Sequence, residues 1–387
     1  MRRRGYDGVA VCAPVSVAYR RYSVNSAHWW IGRALHGLAA RTGLKPADFD
    51  GLSASSFTLA PDTAIGLTQH LGLSPRWLDH VPLGGASGGV ALRRAARAVQ
   101  AGDADFVACV AADTNHVDSF RRTLASFSRF AQDAVYPYGS GGPNASFALI
   151  TRHYMNRTGA TREDFGRICV SQRANAQRYE GALMRRDLSM EDYLGCRAIS
   201  DPIHLFDCVM PCAGAEAFLV CREEDARAIG VPFVRVLAAT ERHNAYQDDP
   251  IQYRGGWAVD RAELWGMAGI APDDVDFLQT YDDYPVIVMM QIEDLGFCGK
   301  DEAPAFVRAH DLTADGDFPH NTSGGQLSVG QAGAGGGYLG MVEAIRQLTG
   351  EAGGTAVPEA QIGVVSGFGM INYDRGLASC AVVLARA

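Results

Sequence analysis

The chain has no apolar run near the ~20 residues that a membrane-spanning helix needs, so no segment reads as a span. It has no long block of one charge either. Its 35 Lys and Arg against 43 Asp and Glu leave a formal net charge of -8. Without a basic face to displace phosphate counterions, it does not read as a nucleic-acid binder. A disulfide scaffold is also missing. The nine cysteines are odd in number, and most sit in apolar stretches, so they read as reduced, buried thiols of a cytoplasmic protein. No phosphate loop or dinucleotide fingerprint occurs. The run after Arg2–Arg4, Gly8 to Val15, is short and contains Pro14, so it reads as a first strand and not as a leader. His204, Cys208 and Cys212 would form a stripe on a helix. The segment reads as loop and strand, with no fourth ligand, and no metal is expected.

What the chain does have is glycine, 44 copies, gathered at a few turns. Gly84-Gly85-Ala86-Ser87-Gly88-Gly89 opens a segment whose apolar face is Val90, Leu92, Ala95, Ala96 and Val99, a helical spacing that Gly102 stops before a strand at 106–112. Gly330 to Gly337 opens a second, with Tyr338, Met341, Val342, Ile345 and Leu348 on one face, Gly350 as the stop, and a strand from Ile362. A second pair repeats upstream. Gly43-Leu44-Lys45-Pro46-Ala47-Asp48-Phe49-Asp50-Gly51-Leu52 aligns without a gap with Gly269-Ile270-Ala271-Pro272-Asp273-Asp274-Val275-Asp276-Phe277-Leu278. Two units of helix, strand, glycine turn, helix and strand imply a duplicated α/β chain: an N-terminal half over 1–230 and a C-terminal half over 231–387. The first half would carry a lid-like insertion over about 114–230, where Phe127, Tyr136, Tyr138 and Pro143 mark an irregular stretch and a helix is expected over Arg162 to Arg178.

An ordered set of motifs resembles the thiolase superfamily, within it the sterol-carrier-protein type. The set is Gly84-Gly85-Ala86-Ser87-Gly88, Asp207-Cys208 with Ala213-Gly214-Ala215, Tyr281-Asp282-Asp283-Tyr284, Asn321-Thr322-Ser323-Gly324-Gly325, Gly330-Gln331-Ala332-Gly333 and Gly367-Phe368-Gly369. The resemblance implies the thiolase fold, a five-layered α-β-α-β-α sandwich of two similar halves. It also implies a homodimer core and an acyl-CoA thioester as substrate, with no metal and no covalently bound cofactor.

Four departures separate the chain from a working thiolase. The acyl-accepting cysteine position holds Gly85. The base histidine position holds Gln331, which can hydrogen-bond but cannot take a proton at neutral pH. Tyr281-Asp282-Asp283-Tyr284 replaces His-Asp-Cys-Phe, and Gly367-Phe368-Gly369, next to Ser366, replaces Cys-x-Gly. Acyl-cysteine chemistry is therefore excluded. Backbone N–H groups at the glycine turns still suit a carbonyl or enolate oxygen. The expected machinery is Tyr281, Asp283 and Gln331 as the catalytic groups, with Gly85, Ser87, Asn321, Ser366 and Gly369 binding substrate and oxyanion. Asp282 orients the loop, and Tyr338 lies near without a firm match. The pattern is similar to relatives that cleave β-hydroxyacyl-CoA steroid side chains by retro-aldol reaction with a small OB-fold/zinc-ribbon partner. The alternative is a non-catalytic thiolase-like subunit that assembles with an active thiolase or with such a partner.

Overall fold

The computed structural model describes residues 5–116 and 142–387, so Phe127, Tyr136 and Tyr138 lie outside the described residues. Helix and strand alternate from the start: β1 (Val9–Arg20), α1 (Ala27–Thr42), β2 (Gly51–Ser55), α2 (Ala64–Leu71), β3 (Trp77–His80), α3 (Ser87–Ala101) and β4 (Val107–Asp113). Next come α4 (Pro143–Thr158), α5 (Arg162–Arg178), α6 (Met190–Gly195) and a small hairpin of β5 (Ala198–Ser200) and β6 (Ile203–His204). The chain returns to the sheet with β7 (Ala213–Arg222), α7 (Glu223–Ala228) and β8 (Phe233–His243). The remainder is α8 (Gly256–Ala268), β9 (Phe277–Gln279), α9 (Pro285–Leu295), α10 (Ala303–Ala309), α11 (Gly325–Val329), α12 (Gly336–Thr349), β10 (Ile362–Ile371) and β11 (Gly376–Arg386).

Nine strands follow the order β3-β2-β4-β7-β1-β8-β11-β10-β9. The pairing repeats across the centre. β1 and β4 flank β7 antiparallel, and β2 lies parallel to β4; β8 and β10 flank β11 antiparallel, and β9 lies parallel to β10. Among the described residues only Ala10–Cys12 of β1 join the two sets, through Phe233–Arg235 of β8. The duplicated sequence segments carry equivalent structure. α1 and α8 each end on a left-handed glycine, Gly43 and Gly269, both at φ 73°. A single turn follows in each, capped by Asp48 accepting from the Lys45 N–H at 2.7 Å and by Asp274 accepting from the Ala271 N–H at 2.8 Å.

Strand alternation builds the layers. Along β4, Val107, Cys109 and Ala111 face α3 and α12, whereas Ala108, Val110 and Ala112 face α1 and α2. Along β11, Val382 and Leu384 face the same central helices, whereas Ala381 and Val383 face α8 and α9. The result is the five-layered thiolase sandwich. The expected insertion is shorter at its C-terminal end than 114–230. Residues 213–222 form β7, a central strand buried on both faces, because Ala213, Ala215, Ala217 and Leu219 pack outward while Phe218 and Val220 pack on the central helices.

The two glycine turns meet where α3 and α12 begin. A Cβ on Gly88 would stand 2.3 Å from the Gly337 carbonyl oxygen, and one on Gly337 would stand 2.5 Å from that of Gly84. Neither oxygen can yield, because both belong to backbone. Gly88→Ala is therefore expected to lower unfolding stability by about 1–3 kcal/mol in urea titration, the usual cost of overpacking. Gly66→Ala is the control. It lies in α2 with nothing within 4 Å of the added carbon, and it should be neutral or stabilise by about 0.5–1 kcal/mol.

Candidate active site

Beyond β9 the chain leaves the sheet as the loop Thr280–Tyr284, and Pro285 starts α9. This loop carries the tyrosine and the two aspartates. Asp282 turns inward. Its carboxylate accepts from the N–H groups of Gln326 (2.9 Å) and Leu327 (3.2 Å) at the start of α11, so it anchors the loop. Burial lifts its pKa to about 6.

Tyr281 is buried at 7% exposure, and its ring lies against Gly85. A Cβ on Gly85 would be 2.1 Å from the ring and 2.3 Å from the Phe368 carbonyl oxygen. The ring thus occupies the volume of the side chain that Gly85 lacks. The hydroxyl accepts from Gln331 Nε2 at 3.5 Å, and Gln331 Oε1 accepts from the Gly333 N–H at 3.2 Å. Tyr281, Asp283 and Gln331 all line one cavity of about 370 Å³. Its walls come from Phe57 and Thr58 after β2, Asp113–Asn115 after β4, Arg197, Ile199, Cys208 and Val209 around the hairpin, and Ile371 at the end of β10. That volume suits a small-molecule ligand.

Burial, then the charge of Asp283, pushes the Tyr281 phenol well above its ordinary range, so it stands as a proton donor. Burial and the neighbouring Asp282 raise the Asp283 carboxyl as well, and its Oδ1 has no hydrogen-bond partner among the described residues. A carboxyl of raised pKa with one unpartnered oxygen, a neutral phenol and a primary amide thus line one mostly apolar space.

The other expected residues fall outside this cavity. Ser87 donates to the Val81 carbonyl (2.8 Å) and accepts from the Leu83 N–H (3.0 Å), so its hydroxyl is consumed in holding the turn before α3. Ser366 donates to Gln291 Oε1 at 2.6 Å. Asn321 Oδ1 accepts from the Thr280 N–H (2.8 Å) and supports the loop from behind, together with His320, whose Nε2 lies 2.8 Å from Thr280 Oγ1. Burial drops the His320 pKa to about 3, so it stays neutral. Gly369 is a packing residue, since a Cβ there would meet the Leu83 carbonyl oxygen at 1.8 Å. Tyr338 is fully buried near Ser55 Oγ at 3.3 Å, away from the cavity. Residues 205–207 form a single turn and Cys212 sits in a bridge to the Gln331 segment, so His204, Cys208 and Cys212 share no helix face.

Asp113 is a cavity residue that no motif announced. Its Oδ1 accepts from the N–H groups of Phe57 (2.9 Å) and Thr58 (2.6 Å) and from Ser56 Oγ (2.9 Å), and its Oδ2 accepts from the Ala334 N–H (2.7 Å). It ties the second glycine turn to the first half. Its only sequence signal is an acid at the end of an otherwise apolar strand.

Sulfur is near, but it is not activated. Cys208 and Cys212 line the cavity, and burial pushes Cys208 up to about 12 and Cys212 higher. Cys380 reaches the start of α3, where its thiol donates to the Ala86 carbonyl at 3.4 Å. Burial holds it at about 12 despite the N–H groups of Gly89, Gly367 and Val90, and it does not line the cavity. A nucleophilic cysteine needs the opposite shift.

Fold and site together define a thiolase-like protein in which a tyrosine ring fills the space beside the glycine turn at Gly85. Comparisons with known proteins agree. Residues 239–384 match the thiolase C-terminal domain-like family. The 17-hydroxy-3-oxo-4-pregnene-20-carboxyl-CoA lyase of Mycobacterium tuberculosis is 31% identical over 80% of this chain and 83% of its own. The steroid side-chain-cleaving aldolase of Thermomonospora curvata is 31% identical over 80% and 82%. The solved Ltp2-ChsH2(DUF35) aldolase superposes with a TM-score of 0.83 at 26% identity, covering 98% of each chain. The chain belongs to the thiolase superfamily, in the branch of the steroid side-chain-cleaving aldolases.

Gly85→Ala should displace the Tyr281 ring and cost about 1–3 kcal/mol in thermal or urea unfolding. Adding Tyr281→Ala should restore part of that loss. Full restoration is not expected, because the Phe368 oxygen remains 2.3 Å from the new carbon.

Proposed function

We propose that the chain is a carbon–carbon lyase that cleaves a β-hydroxyacyl-CoA thioester by retro-aldol reaction, with a steroid side chain as the acyl group. The observation that carries this reading is the Tyr281 ring against Gly85, its hydroxyl on Gln331, with Tyr281, Gln331 and Asp283 lining a single cavity. The Asp283 carboxylate takes the proton of the β-hydroxyl. The O–H electrons form the new carbonyl, the Cα–Cβ bond breaks, and its electron pair enters the thioester as an enolate. The Tyr281 phenol and the Gln331 amide donate hydrogen bonds to the enolate oxygen. Protonation at Cα then releases the shortened acyl-CoA together with a ketone or aldehyde. No acyl group passes to the protein.

The relatives' names support the substrate class, and the apolar cavity walls can accept a fused-ring acyl group. The similar structure carries a second component, ChsH2(DUF35), in its name. We infer an analogous small OB-fold/zinc-ribbon partner here. Among the described residues the edge strand β3 is paired on one side only, by β2, and it offers a surface for a homodimer core. The halves 1–230 and 231–387 and a cytoplasmic setting for the nine free thiols belong to the same proposal. Among the described residues no helix is long and apolar enough to cross a membrane.

Tyr281→Phe and Asp283→Asn are each expected to lower kcat about 10²–10⁴-fold on 17-hydroxy-3-oxo-4-pregnene-20-carboxyl-CoA, the range of a lost proton-transfer group. Wild-type rates from both variants would leave the reading without its chemistry. Asp283 must be ionised to act, and its pKa is raised, so kcat/KM should fall with acid along a limb above the ordinary aspartate range of about 3.9. In light scattering the chain should weigh twice 41.4 kDa, and a monomer would remove the edge-strand dimer.

A further inference from the structure

Tyr281 has its main chain fixed by a side chain from another element. The ladder ends at Gln279, so the Tyr281 peptide groups need partners elsewhere. The Tyr281 N–H donates to the Ser366 carbonyl at 3.0 Å. It is shared with Gln291 Oε1 at 3.2 Å, and the Tyr281 carbonyl accepts from Gln291 Nε2 at 2.7 Å. The Gln291 amide therefore grips both sides of one residue, as a neighbouring strand would.

The grip is saturated. A primary amide offers two donors and an acceptor oxygen with two lone pairs. Nε2 spends its second donor on the Ile287 carbonyl at 2.9 Å, and Oε1 takes Ser366 Oγ as its second donor at 2.6 Å. Gln291 is fully buried in α9, a helix with no exposed residue. Saturation of this kind is not general here. Gln172 is also fully buried, yet neither its Nε2 nor its Oε1 has a partner among the described residues. The other buried polar side chains of α9, Glu293 and Asp294, turn to Lys300 at 2.9 and 3.2 Å and leave the site alone. A glutamine in a wholly buried helix costs desolvation unless all its hydrogen bonds are made. Here two of the four are made to the tyrosine whose ring lies where a Cβ on Gly85 would stand, 2.1 Å from it.

We propose that Gln291 is a positioning residue for the lyase reaction: together with Ser366 it clamps the Tyr281 main chain so that the phenol is held at its working place beside Gln331. The inference rests on the reading of Tyr281 as a catalytic group. It assigns Ser366, whose hydroxyl faces Gln291, to the clamp.

The test is a double-variant cycle in the full chain with whatever subunit co-purifies, using 17-hydroxy-3-oxo-4-pregnene-20-carboxyl-CoA as the probe. Gln291→Glu keeps the acceptor and loses the donation to the Tyr281 carbonyl; Gln291→Met keeps the shape and loses both. Each should lower kcat about 10–100-fold, as misplacement by about an ångström does, with KM within about threefold. The same changes in a Tyr281→Phe background should add less than about twofold, because they act through the phenol. Equal losses in both backgrounds, or unchanged kcat in folded single variants, overturn the clamp. If Tyr281→Phe alone has no effect, it is the catalytic reading that falls. Should neither Gln291 variant fold, Ser366→Ala removes one arm of the clamp from the surrounding strand. It should lower kcat severalfold in the wild-type background only, and an equal loss in both backgrounds again overturns the proposal.

Discussion

The site depends on an exclusion of volume: the ring of Tyr281 and any side chain at position 85 cannot occupy the same space. A single added carbon would approach the ring to 2.1 Å. The glycine and the tyrosine are therefore one structural exchange. The turn here presents a bare backbone, and the aromatic ring beside it lines the cavity. Close backbone packing confines that turn from two further directions. Gly369 brings β10 against Leu83, and Gly88 meets Gly337 across the central helices.

The same tight packing sets the electrostatics. Tyr281 and Asp283 lie where water is scarce, so both favour their neutral forms; the charge of Asp283 further disfavours ionisation of Tyr281, and that of Asp282 disfavours ionisation of Asp283. A carboxylate that regains its proton easily and a phenol that keeps its own suit a reaction that takes a proton from one oxygen while stabilising another. Asp282, adjacent in sequence, escapes this role because two α11 N–H groups claim it. Two consecutive aspartates are thereby set apart: one is bonded into the scaffold, and the other keeps an oxygen without a partner among the described residues.

The duplication was legible in the chain because it rests on local signals: helix-stopping glycines, Pro-x-Asp turns and apolar periodicity, all decided within a few residues. The helix over Arg162 to Arg178 is bounded as its pattern suggests. The reach of the insertion was not legible, since β7 looks like any apolar run until its neighbours β1 and β4 are known. At the site, Tyr281, Asp283 and Gln331, singled out by their motifs, line one cavity. Ser87 and Ser366 do not face the cavity, because hydroxyl direction is set by whichever backbone or amide partner lies nearest in three dimensions. Asp113 and Gln291 escaped notice for the same reason. Their work is done on residues far along the chain, 221 positions away for Asp113 and Ala334.

The central claim, that the chain works without an acyl-enzyme, is tested most directly by intact-protein mass spectrometry on samples quenched during turnover of the β-hydroxyacyl-CoA. The account predicts an unmodified protein mass at every time point while the ketone and the shortened acyl-CoA accumulate together. An acyl adduct on Cys208, Cys212 or Cys380, formed and consumed at the rate of turnover, would contradict it.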